Sequence, residues 1–138
     1  MYSPESDLSV IWRRLAQDDD LKEILGLTGA TNKEIAERII KRSRWDDLIE
    51  GVRRVNVFFR PSRVSRNQII NEHVLQVDVH VPAREDYLAN RAQERVYRLL
   101  HKFAVNNRRL YFDGQLGDLP TTVGFFCAGS RYVYYPTI

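Results

Sequence analysis

Between Glu72 and Pro82 apolar and polar residues alternate, and from Arg84 onward apolar residues recur every three or four positions. Alternation marks a strand with two unlike faces, because successive strand side chains point to opposite sides. Leu75, Val77, Val79 and Val81 share one face, predicted to be core; Gln76, Asp78 and His80 share the other, predicted to be wet or in contact with a neighbour. Downstream, Leu88, Ala92, Val96, Leu99, Leu100 and Phe103 form a helical stripe, with Arg84, Asn90, Arg91, Glu94, Arg95 and Arg98 mostly off it. That spacing predicts an amphipathic helix over 84–100, laid across the sheet to which the strand belongs.

The same patterns organise the rest of the chain. A first helix begins near Ser3 or Ser6, with Pro4 suited to a first turn, carries the stripe Leu8, Ile11, Trp12 and Leu15, and ends near Asp18. The triplet Asp18, Asp19 and Asp20 caps a short second helix, Leu21–Leu25, which Gly26 terminates. A capping box from Thr31 to Glu34 opens a third helix with Ile35, Ala36, Ile39 and Ile40, reaching about Lys41–Arg44. Val52–Phe59 reads as a strand, joined to the strand at 73–81 by a turn-rich basic segment, a hairpin with a long exposed tip. After the main helix, Leu110, Phe112 and Leu116 suggest a strand interrupted at Asp113 and Gly114. Thr122–Ala128 and Arg131–Tyr135 suggest a closing hairpin that turns at Gly129 and Ser130. The expected fold is one α+β domain over residues 1–138. Its helical part spans 1–50, and a mostly antiparallel sheet of four to five strands, with the long helix on one face, spans 51–138.

Composition narrows the class. With 138 residues, 43% of them hydrophobic, the chain suits one domain with one core. The net charge of +3 arises from 21 basic residues interspersed with 18 acidic ones, too balanced to announce a nucleic-acid surface. No apolar run approaches the ~18–20 residues that cross a bilayer, and the N-terminus lacks a secretory pattern, so the expectation is a cytoplasmic protein with no membrane partner. The lone Cys127 sits in an apolar run and reads as a buried, inert thiol.

Catalytic chemistry is sparse. Asp78 and His80 stand two apart on one strand face, with Glu72 and His73 just upstream, a pattern able to hold a divalent ion. No second spaced His/Cys pair completes it, and the reading is a polar or intersubunit strand face, with no metal, no cofactor and no catalytic residue. The glycines lack a phosphate-loop ending, and Asp46 with Asp47 lacks a nuclease partner motif; His101 suits a helix C-terminus. A basic run, Arg38, Lys41, Arg42, Arg44, Arg53, Arg54, Arg60, Arg63 and Arg66, is interleaved with Trp45, Phe58 and Phe59. Such a run serves single strands and protein interfaces alike; its alternation with core residues favours an interface. The interface residues expected are Arg60, Arg63 and Arg66 at the hairpin tip, Gln76, Asp78 and His80 on the strand face, and Tyr132, Tyr134 and Tyr135, whose aromatic rings would cover an edge strand that another subunit extends.

Four segments in order carry a resemblance: Val57-Phe-Phe-Arg-Pro61, Gln76-Val-Asp-Val-His-Val-Pro-Ala-Arg-Glu-Asp86, the helix Ala89–Leu100, and Gly117-Asp-Leu-Pro-Thr-Thr-Val-Gly-Phe125. Over about residues 50–138 the chain resembles the tail-completion or tail-terminator proteins of long, non-contractile-tailed phages. The resemblance implies an α+β subunit that assembles with its own copies into a ring, usually a hexamer, at the head-proximal end of the tail tube. There it meets the tail tube protein and the head connector or stopper protein, while DNA passes through the ring without sequence-specific binding. It implies a virion component at the head–tail junction, assembled in the cytoplasm of a bacterial host. The alternatives are a head-side connector or stopper and, from another class, a small basic nucleic-acid-binding module.

Overall fold

Each of the first three helices begins where a short polar side chain takes up a main-chain N–H left over at the helix start. Ser6 Oγ accepts from Ser9 at 3.2 Å, an Asp18 oxygen from Leu21 at 2.8 Å, and Thr31 Oγ1 from Glu34 at 3.2 Å. These caps open α1 (Asp7–Ala16), α2 (Asp19–Ile24) and α3 (Asn32–Arg38) in a computed structural model that describes residues 6–44, 46–48, 51–60, 63–64, 71–72 and 74–135. Gly26, at φ 72°, ends α2: its N–H bonds to Glu23 O and that of Leu27 to Lys22 O, the paired closure that a left-handed residue permits.

The third helix is shorter than its apolar spacing predicts. Ile39 and Ile40 leave it to form β1 (Ile39–Ile40), which pairs in parallel with Val55 and Asn56 of β2 (Arg54–Phe59). The indole N–H of Trp12 holds the departing chain through Ile39 O at 2.6 Å. β2 then runs antiparallel to β5 (Val74–Pro82), as the hairpin reading expects. Within the connection, β3 (Arg63–Val64) and β4 (Asn71–Glu72) form a separate two-stranded ribbon.

After a single 3-10 turn, α4 (Asp86–Leu100) lies over the sheet, followed by β6 (Ala104–Val105), β7 (Arg108–Asp118) and β8 (Phe125–Tyr135). The fold is α+β, with strand order β1-β2-β5-β8-β7-β6. Six strands replace the expected four to five, and one pair is parallel, because the two-residue pieces at both ends, β1 and β6, carry no strand signal of their own. The closing segment also differs: instead of a hairpin at Gly129 and Ser130 there is one 11-residue strand, β8, paired with β5 on one side and β7 on the other. β7 likewise continues through Asp113 and Gly114, because register shifts at Asp113 and Leu116 absorb the irregularity as bulges.

One continuous core joins the helices to the sheet. Ile11, Leu15, Leu21 and Leu25 from the N-terminal helices meet Leu88, Ala92, Val96 and Leu100 of α4, which meet Val55, Val57, Leu75, Val77, Val79 and Tyr132 of the sheet. Gln93 is the polar exception on α4: its amide donates to Val77 O and Ala128 O and accepts from Ser130 Oγ, so a buried side chain pins the helix to β5 and β8.

Candidate intersubunit surface and a buried polar cluster

The face of β5 opposite α4 is polar in sequence but not wet. Asp78 and His80 are buried, at 5% and 1% exposure, and Gln76 is half-buried. The sequence expectation of a face turned to solvent or a neighbour is therefore corrected for Asp78 and His80. Two segments cover them. The chain after β7 folds back, with Leu119 N–H bonded to Cys127 O, and places Thr121 against His80; on the other flank, Arg44 O accepts from Asn56 of β2.

Beneath this cover, side chains from three strands converge. Register puts His80 between Arg54 on β2 and Cys127 on β8, and Asp78 between Asn56 and Gly129. His80 Nδ1 is 2.8 Å from Thr121 Oγ1; its Nε2 is 3.3 Å from Asn56 Nδ2 and 3.6 Å from Cys127 Sγ. Gln76 Nε2 donates to Asp78 Oδ1 at 2.8 Å. Burial dominates the electrostatics, since each charged form loses water. It raises the Asp78 carboxyl above its ordinary range against Gln76 and Arg60, which act the other way. It lowers His80 to about 4, with Arg54 adding to the effect, and raises the Cys127 thiol, with Asp78 adding to it. Burial therefore disfavours the charged form of all three side chains.

The other expected interface residues divide. Tyr132 is fully buried on the α4 side of β8, and Tyr134 beside it donates to Asp7 at 2.9 Å. Tyr132 lies where β8 is paired with both β5 and β7 and so does not cover a sheet edge, while Tyr134 and Tyr135 stand at the end of β8, opposite Leu110 and Arg109 of β7. Arg60 is exposed at the end of β2, with its N–H bonded to Val74 O, and Arg63 stands opposite Glu72 in the ribbon; Arg66 lies outside the described residues, as does most of the hairpin tip. Part of the basic run is engaged within the fold. Arg38 donates to Arg53 O, Arg53 to Glu85 and to Ile24 O, and Arg54 and Arg44 both pair with Asp47. These guanidiniums fasten helices and loops to one another and to the sheet.

Sequence reasoning missed Cys127, Asn56 and Thr121 as members of the cluster. The one usable signal was the odd-numbered alternation Phe125, Cys127, Gly129, Arg131; turning it into a contact with His80 requires the β5–β8 register. No helix among the described residues is long and apolar enough to cross a membrane. Comparison of the chain with family models and with curated proteins returned no match.

Proposed function

We propose that the chain is a structural virion subunit that assembles into a ring at the head-proximal end of a phage tail tube, stopping tube growth and offering the surface to which the head joins. The observation that carries this reading is a sheet with two unlike open edges. On one side β1 pairs only with Val55 and Asn56; on the other, β6 pairs only with Arg108 and Arg109. Among the described residues no strand lies outside Val57 and Phe58 of β2 or outside Gly114–Asp118 of β7. A ring of identical subunits needs two different complementary patches, and edge main chain readily accepts a partner. The bulges and the acidic Asp113 and Asp118 on β7 restrain indiscriminate pairing, as suits a subunit kept soluble until it assembles. The four segments that resemble tail-terminator proteins point the same way.

The test is electron microscopy of purified phage particles from the culture that encodes this chain, labelled with gold-conjugated antibody against it. Label at the head–tail junction is expected, and its retention on isolated tails distinguishes a tail terminator from a head-side stopper. Intact particles without label, where the same antibody is shown to reach disrupted necks, would overturn the virion reading.

A further inference from the structure

The side chains of Asp78, His80 and Cys127 place one carboxylate oxygen, one imidazole nitrogen and one thiol sulfur within 4.8 Å of one another. This is a borderline-soft donor set, the kind that selects zinc over magnesium or calcium. A tetrahedral ion with ordinary zinc–sulfur and zinc–nitrogen bond lengths holds its S and N ligands about 3.6 Å apart. Cys127 Sγ and His80 Nε2 stand 3.6 Å apart.

We propose that Asp78, His80 and Cys127 are the protein ligands of a structural zinc ion that ties β5 to β8 beneath the 119–124 segment. Two further features support the assignment. The groups around the three donors are arranged as an outer shell: Thr121 meets the second ring nitrogen of His80 and fixes Nε2 toward Cys127, while Gln76 orients the Asp78 carboxylate. Asn56 is fully buried beside the three donors, with its Nδ2 3.3 Å from His80 Nε2, and its Oδ1 has no hydrogen-bond partner. Charge also balances: one thiolate, one carboxylate and a neutral imidazole offset a dication. Arg54, which acts on His80, is held by Asp47. Binding forms Zn–S, Zn–N and Zn–O bonds, breaks the Cys127 S–H bond and releases that proton, with any proton on Asp78, to solvent. Because all three ligands are buried, the ion is acquired as the chain folds.

Protein purified without chelator from zinc-supplemented cells is expected to carry about one zinc per chain by mass spectrometry of the metal. Refolded with cobalt(II) instead, it is expected to show tetrahedral cobalt absorption and a thiolate-to-cobalt charge-transfer band. Cys127→Ser should lose the charge-transfer band, and Thr121→Ala should weaken zinc binding about 10–100-fold while leaving the band in place. Wild-type protein that folds by circular dichroism yet retains no stoichiometric zinc and gives only the spectrum of aqueous cobalt would overturn the proposal, leaving a thiol–imidazole hydrogen bond as the reason for the 3.6 Å spacing. Cobalt binding without the charge-transfer band would overturn it equally, since the ion would then sit elsewhere. The wild-type spectrum decides even where a substituted chain fails to fold.

Discussion

A methyl group at Gly129 has no room: a Cβ there would lie 2.4 Å from Leu119 Cδ1 and 2.9 Å from Asp78 Oδ1. The glycine sits in mid-strand because the covering segment and the buried carboxylate both use the space its side chain would fill. Gly129→Ala should therefore cost about 1–3 kcal/mol in urea denaturation, the usual penalty for overpacking, and Leu119→Ala in the same chain should restore part of it. Wild-type stability in the single variant would mean that Leu119 swings away freely. His80 makes a second prediction at this scale. Its folded pKa, about 4, lies below its ordinary 6.5, so between those values the unfolded chain binds more protons and stability rises with pH. At ~1.4 kcal/mol per unit this reaches about 3 kcal/mol, partly offset by Asp78, whose raised pKa makes stability fall as pH climbs above its ordinary 3.8. In chelator-treated protein, stability should increase from pH 4 to 6.5, and His80→Gln should remove or reverse that slope; an unchanged slope would exclude His80 as its source.

At the scale of elements, Asp18 does two jobs. It caps α2 and receives a paired hydrogen bond from Arg95 of α4, at 2.6 and 2.8 Å, so one carboxylate starts a helix and fastens it to another. The Arg95 hydrogen bond, then the Leu21 N–H and the nearby guanidinium charges, outweigh partial burial and hold the Asp18 carboxyl below its ordinary range. Its contribution is thus present above about pH 4 and is lost as pH falls through the lowered value. Asn at this position still caps but gives up the ion pair. Asp18→Asn should cost about 1 kcal/mol and Asp18→Ala about 2 kcal/mol by chemical denaturation, and equal losses would show that the ion pair alone matters. Such caps were legible in the sequence because Ser6, Asp18, Gly26 and Thr31 act on residues three or four positions away. The errors lie where distant partners decide. Ile39 continues a perfect helical stripe, yet it pairs with Val55; Gly129 and Ser130 spell a turn, yet the glycine answers to Leu119 and Asp78 across the sheet. The polar cluster was half visible for the same reason: Asp78 and His80 are two residues apart, whereas Cys127 joins them only through register.

For the whole molecule, the question is how one sheet with two open edges associates. The N-terminal helices are built into the subunit: Asp7 of α1 accepts from Asn106, Arg108 and Tyr134, and these bonds outweigh the burial that would raise its pKa. Helices and sheet should then unfold together and assemble as one body. If the outer edge of β7 met the same edge of a second copy, the contact would be self-complementary and would close at a dimer. If it met the β2 edge of the next copy, each subunit would still offer one edge of each kind, and growth would continue until rotation closed a ring. Native mass spectrometry should accordingly show monomer and one closed species of fixed size larger than a dimer, with few intermediates. Because association stabilises only the folded chain, the melting temperature should rise with protein concentration once that species is populated. A dimer as the sole assembled form would mean that a surface of the subunit meets its own copy, and would exclude the head-to-tail arrangement.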